Sequence, residues 1–178
     1  MLIRMLSDIP LHPSVMVVLD RDDTLCVDFN GMNGDSECIF LPGVIEGLLE
    51  LKIINPVLAI ATNQSYIGRE QLSENDVDAF NEKLCNILNL RGIDINIIAI
   101  CPHTPFNNCT CRKPKPGMIL ELIRISGITR SKDIFFLGDK VSDMQAARTA
   151  GIYGMLVEND NFFELCIRIK NTIVNPSL

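Results

Sequence analysis

Short apolar runs that end abruptly in polar clusters restrict the fold of this chain more than any other feature. Val15–Leu19 stops at Asp20, and Pro56–Ala61 stops at Thr62-Asn63. Ile95–Ile100 stops at Cys101, and Ile134–Leu137 stops at Gly138-Asp139; Met155–Val157 is a weaker fifth run. Helical patterns separate them, over Val44–Ile53, Glu74–Leu90, Met118–Ile125 and Ser142–Ala150. In the second of these, Val77, Phe80, Leu84, Ile87 and Leu88 recur at helical spacing and define one buried face. Ser142 suits the N-cap of the fourth helix, and Gly151 suits its end. Apolar strands that show no polar alternation are buried on both faces. With helices between them, they predict an α/β fold: a parallel sheet covered by helices on each side. In such sheets ligands bind beyond the carboxyl ends of the strands, where every polar cluster of this chain falls.

A chain of 178 residues, 47% of them hydrophobic, is expected to form one domain, residues 1–178, with a continuous core. The formal charge is −6, from 16 basic and 22 acidic side chains, which argues against a nucleic-acid partner and still allows a small anionic metabolite. No apolar stretch is long enough to cross a bilayer, so no membrane partner is expected. Met1–Ser14, with Arg4, Asp8, two prolines and His12, lacks the pattern of a secretory signal. A cytoplasmic monomer is the expectation. In the cytoplasm the seven cysteines stay reduced, and clustered ones point to metal.

The strand-end carboxylates carry the strongest chemical signal. A strand that delivers Asp20 and then bends aims the carboxylates of Asp20 and Asp22 at one point. Two such charges repel, and a hard divalent cation relieves the repulsion. Asp139, after a later strand, supplies a third oxygen ligand; Asp143, one turn on, is placed to bind a metal-bound water or to orient a neighbour. Mg²⁺ fits a site with few protein carboxylates and several waters, completed by a substrate phosphate. A lone aspartate at a strand end is an ordinary cap, but Asp-x-Asp-x-Thr together with Gly-Asp-Lys-x-x-Asp is not.

Two further segments suit a phosphate. Thr62-Asn63-Gln64-Ser65 offers hydroxyls and main-chain N–H groups at a strand end, although the same four residues also make a plausible turn. Arg112-Lys113-Pro114-Lys115-Pro116 is stiffened by its prolines and can hold a lysine as a fixed counter-charge; Lys115 reads as surface. Lys140 is placed to touch either the substrate phosphate or a metal-site carboxylate. Cys101, His103, Cys109 and Cys111 lie within eleven residues and form a closed tetrahedral Zn²⁺ set. A closed set leaves no place for water, so this zinc is structural. It would order a loop poor in apolar residues that runs directly into Arg112 and Lys113. Cys26, Cys38, Cys85 and Cys166 are scattered and read as core or surface thiols.

From about Val15 to Val157 these motifs resemble the haloacid dehalogenase superfamily of phosphatases. Asp-Arg-Asp, Thr-Asn-Gln-Ser, Cys-Pro-His with Cys-x-Cys before Arg-Lys-Pro, and Gly-Asp-Lys-x-x-Asp-Met-Gln-Ala-Ala are similar to the heptose bisphosphate phosphatases. The histidinol-phosphate phosphatases are close relatives. The resemblance implies a Rossmann-like sheet with no large cap domain. Leu25–Leu41, Ser65–Leu72 and the small zinc loop would then cover the pocket. It implies that Asp20 is the nucleophile and that Asp22 protonates the leaving group and then activates water. Thr62 binds the phosphoryl group, Lys113 is the active-site lysine, and Asn63 and Arg112 contact substrate. A small phosphorylated sugar would extend towards Arg112 and the loop from Asp28 to Gly31. Three departures bear on the substrate: Asp23 and Tyr66 where the family usually has glycine, and a short zinc loop, Thr104–Asn108. The competing readings are the same chemistry on histidinol phosphate or another small phosphate monoester, a zinc-stabilised interaction domain, and a nucleic-acid 3′-phosphatase.

Overall fold

The computed structural model describes residues 1–10 and 13–175; His12 of the N-terminal stretch lies outside the described residues. Six strands form one sheet in the order β1-β4-β3-β2-β5-β6. They are β1 (Leu2–Met5), β2 (Met16–Leu19), β3 (Val57–Asn63), β4 (Ile97–Cys101), β5 (Ile134–Gly138) and β6 (Tyr153–Leu156). All neighbours from β4 to β6 pair in parallel. The expected all-parallel sheet is therefore corrected at one edge, where β1 pairs antiparallel with β4, Leu2 opposite Ile100. Only four residues long and buried on neither face, β1 has no continuous apolar run to announce it. Arg4 fastens it through an ion pair to Asp78 at 2.8 Å.

Side chains of a strand point alternately to the two faces, and the core divides accordingly. Val17, Leu19, Ile60, Ile98 and Leu137 join one cluster; Met16, Val18, Ala59, Ala61, Ile97 and Phe136 join the other. The first is covered by α1 (Val44–Lys52), α3 (Glu74–Asn89) and α6 (Phe162–Val174), the second by α4 (Gly117–Ser126) and α5 (Val141–Ala150). A one-turn helix, α2 (Ser65–Gly68), follows β3. α6 was not among the expected helices, although Phe162, Leu165, Cys166 and Ile169 occupy one helical face and are all buried.

Two local expectations shift for identifiable reasons. The strand expected from Ile95 begins at Ile97, because the Asn96 side chain takes the Leu58 N–H at 2.9 Å and donates to the Asp8 carbonyl at 2.8 Å. Ser142 does not cap α5. Lys140 is the N-cap, and the Asp143 side chain accepts its main-chain N–H at 3.0 Å, which places Ser142 inside the first turn. Gly151 ends α5 in the left-handed region, at φ 75°. Within the sheet β2 is central, so Asp20, Thr62 and Asp139 all emerge at the carboxyl ends of adjacent strands.

Candidate active site

The Asp20 main-chain N–H still donates to Leu137 of β5 at 2.9 Å, and the chain leaves the sheet immediately afterwards. The Asp20 side chain is thereby fixed at the floor of a cavity of about 330 Å³. Its Oδ1 accepts from the Arg21 main-chain N–H and from Lys113 Nζ, each at 2.8 Å. Burial pushes the Asp20 carboxyl up to about 7; Lys113 opposes this, and the charges of Asp143 and Asp22 add to it.

Lys113 is buried and spans two carboxylates, 2.8 Å from Asp20 Oδ1 and 2.8 Å from Asp143 Oδ1, and it donates to the Ala61 carbonyl at 2.9 Å. Burial alone would lower its pKa, but Asp20 and Asp143 outweigh burial and raise it. Asn63 clamps the Lys113 main chain from both sides, donating to its carbonyl and accepting its N–H at 3.2 Å each. Asn63 thus lines the cavity and also holds the lysine in place.

Asp20, Asp139 and Asp143 bring oxygen atoms within 4.8 Å of one another. The Asp22 carboxylate, expected among the metal ligands, is not part of this trio. It accepts from Arg21 Nε at 2.7 Å and from Gln64 Nε2 at 2.7 Å. Asp143 joins instead because Gly138 lets it approach: a Cβ at Gly138 would stand 2.6 Å from Asp143 Oδ2. Three hard oxygen donors around one point suit Mg²⁺. Thr24 donates to Asp139 at 3.2 Å, and Lys140 lies 3.4 Å from Asp139 and 3.7 Å from Asp23.

Asp28, Gly31, Thr62, Gln64, Ser65, Tyr66, Arg112 and Ser142 complete the wall of the cavity. Gln64 bridges from Asp22 to Thr62 Oγ1, at 2.8 Å. At Gly31, φ is 97°, and a Cβ there would meet the Tyr66 ring at 3.1 Å; the glycine is what allows the loop to close on Tyr66. Tyr66, expected to bear on the substrate, lines the cavity. Ser142 was not among the expected site residues, and its only sequence signal is nearness to Asp139.

At the end of β4, Cys101, His103, Cys109 and Cys111 also converge within 4.8 Å. Cys101 Sγ lies 3.5 Å from His103 Nδ1, 3.8 Å from Cys109 Sγ and 3.5 Å from Cys111 Sγ. A tetrahedral zinc with bonds of about 2.3 Å has edges of about 3.8 Å, so the four atoms fit it. Burial pushes the Cys101 thiol up to about 12, and a bound cation would convert it to thiolate. The cluster touches the cavity through Arg112, whose Nη1 donates to the His103 carbonyl at 3.1 Å. Lys115, exposed, donates to the Cys109 carbonyl at 2.6 Å within the same loop.

A family model described as polynucleotide kinase 3 phosphatase matches residues 16–170. A D-glycero-beta-D-manno-heptose-1,7-bisphosphate 7-phosphatase of Photorhabdus laumondii is 38% identical over 143 residues, 76% of each chain. Its counterpart in Pseudomonas aeruginosa is 33% identical over 144 residues, 80% of each chain. The crystal structure of D,D-heptose 1.7-bisphosphate phosphatase from B. bronchiseptica, complexed with magnesium and phosphate, is 30% identical with a TM-score of 0.75, covering 86% of each chain. A HAD-like phosphatase of Mesorhizobium loti shares the fold, with a TM-score of 0.82 at 22% identity over 96% of this chain and 93% of that one. Kinship in sequence over most of its length makes this chain a phosphatase of the family that the polynucleotide kinase 3 phosphatase model describes, related to the heptose bisphosphate phosphatases, with the fold of HAD-like phosphatases.

Proposed function

We propose that this phosphatase releases phosphate from a small phosphorylated sugar, D-glycero-D-manno-heptose 1,7-bisphosphate, through a phospho-aspartate on Asp20. The observation that carries the reading is Asp20 itself, buried at the cavity floor with Oδ1 held by Lys113 and the Arg21 N–H. Oδ1 is occupied, which leaves Oδ2 as the attacking oxygen. As the Oδ2–P bond forms, the bond from phosphorus to the sugar oxygen breaks, and Asp22 gives that oxygen a proton. Asp22 then takes a proton from the water that attacks the phospho-aspartate, which restores Asp20 and frees phosphate. Thr62 holds a phosphoryl oxygen, Lys113 fixes Asp20 and supplies the counter-charge, and Arg112, Lys140, Asn63, Ser65 and Asp28 face the rest of the substrate. Mg²⁺ on Asp20, Asp139 and Asp143, when bound, supplies positive charge that keeps Asp20 ionised and offsets the phosphoryl charge. Zn²⁺ on Cys101, His103, Cys109 and Cys111 would order the loop behind Arg112 and take no part in the chemistry. The names of the heptose bisphosphate relatives support the choice of sugar. The test is a phosphate-release screen over sugar phosphates and histidinol phosphate, with Mg²⁺ and with EDTA. The heptose bisphosphate should lead, EDTA should stop release, and Asp20→Asn should be inactive although folded. If histidinol phosphate were much the better substrate, the sugar assignment would be wrong.

A further inference from the structure

We infer that Arg21 and Asn81 form a brace that positions Asp22 for proton transfer, which makes Asn81, on α3 and away from the cavity wall, a positioning residue of the reaction. The inference rests on the reading of Asp22 as the acid and base. Arg21 follows the nucleophile, yet its side chain turns inward and is completely buried, the largest such side chain among the described residues. Nε donates to Asp22 Oδ1 at 2.7 Å, and Nη1 donates to Asn81 Oδ1 at 2.8 Å. The guanidinium lies 5.0 Å above the Phe80 ring, so consecutive residues of α3 present it with an aromatic face and an amide oxygen.

A role in stability alone explains this arrangement poorly. Burying a guanidinium is costly unless its donors are well satisfied. Here Arg21 Nη2 and Asn81 Nδ2 are buried without a hydrogen-bond partner among the described residues. Asn81 also interrupts an otherwise apolar buried stripe, Val77, Phe80, Leu84 and Leu88. Apolar residues in place of both Arg21 and Asn81 would remove that cost. What the polar pair achieves is a fixed direction for Asp22. One carboxylate oxygen is held from α3 through Arg21, and the other from the β3 end through Gln64 Nε2 at 2.7 Å. A general acid needs such fixing, because proton transfer falls off steeply with misalignment.

Leaving groups of different basicity separate this role from a merely structural one. An alkoxide must be protonated as it leaves, whereas nitrophenolate need not be. Asn81→Leu, of similar size and on an apolar helix face, removes the oxygen that holds Arg21. The value of kcat/KM for an alkyl phosphate, which reports formation of the phospho-aspartate and not its hydrolysis, should fall on the order of tenfold, and that for p-nitrophenyl phosphate should fall less than about twofold. Asn81→Asp keeps the accepting oxygen and should restore most of the loss. Asn81→Ser, whose hydroxyl is too short to reach Arg21, provides the same reading if the leucine variant does not fold. An equal fall on both substrates, or no fall on either, overturns the brace. Asp22→Asn run alongside distinguishes the underlying reading: if it too shows no dependence on the leaving group, the role given to Asp22 fails, and not merely its support.

Discussion

At Asp23, φ is 58°, a left-handed conformation where a side chain usually gives way to glycine. The carboxylate compensates. Oδ1 accepts the Asp28 main-chain N–H at 3.1 Å, and Oδ2 lies 3.7 Å from Lys140 Nζ, joining the turn after β2 to the loop that reaches Gly31. Both side chains of that ion pair are about half exposed, at 53% and 48%, so it is worth under about 1 kcal/mol. Relief of backbone strain in Asp23→Gly is offset by the extra freedom of an unfolded glycine, and stability should change by less than about 1 kcal/mol. Binding is the more sensitive quantity. We expect KM for the sugar phosphate to rise about two- to fivefold with kcat unchanged, because a looser loop weakens ground and transition states alike. Steady-state kinetics with a parallel thermal melt checks this; a lowered kcat at constant KM would count against it. Residues at this scale were legible in the sequence only up to direction. Asp20, Thr62 and Asp139 could be placed, because each ends an apolar run. That Asp22 faces Arg21 and Gln64 instead of the carboxylate trio could not, since no pattern along the chain tells which way a side chain turns.

Among elements, those buried on both faces were the easiest to read. β2, β3, β4 and β5 appear as unbroken apolar runs, whereas β1 and β6 sit at the edges, half-exposed, with shorter or weaker signals. The cap of α5 eluded the sequence because a serine is the commoner cap, and here an aspartate inside the helix reaches back. The convergence of Cys101, His103, Cys109 and Cys111 was legible for a different reason: thiols and an imidazole so close together in sequence have few other uses. The 3₁₀ turn of their loop, Pro105–Asn107, exposes Phe106 at 95% and buries none of its residues, so the loop lacks a core of its own. Cys109→Ser should therefore remove the metal and lower Tm by about 5–10 °C, equivalent to about 2–3 kcal/mol in a chain of this size. Catalytic efficiency should fall only modestly, through the Arg112 bond to the His103 carbonyl, and the residual activity should still require magnesium. Elemental analysis beside the melting curve decides the matter. Wild-type protein purified without chelator and free of zinc would remove the basis for the prediction.

Over the whole molecule, charge and cavity size together bear on what enters the site. The chain carries −6 overall, and its cavity, about 330 Å³, is at the small end for ligand pockets. Most cations near the floor are already matched. Lys113 faces Asp20 and Asp143, and Lys140 faces Asp139 and Asp23. Among the described residues Arg112 lines the cavity with no carboxylate partner, its Nη1 held on a main-chain carbonyl. That leaves its fork for one further phosphate or a pair of sugar oxygens. A polynucleotide 3′-end asks for something else: a track of cations along the backbone, with strongly salt-dependent binding. We therefore expect a 3′-phosphorylated oligonucleotide to be hydrolysed at least about a hundredfold less efficiently than the sugar bisphosphate, since each lost charge-assisted contact costs about 1.5–3 kcal/mol. Arg112→Ala should cost the sugar bisphosphate roughly ten- to a hundredfold in kcat/KM and leave p-nitrophenyl phosphate, which lacks a second anionic group, nearly unaffected. Competition between the oligonucleotide and the sugar phosphate at low and high salt reads both expectations in one assay. Equal efficiency for the two, falling together as salt rises, would show that a cationic track exists elsewhere on the surface and that the cavity does not set the substrate.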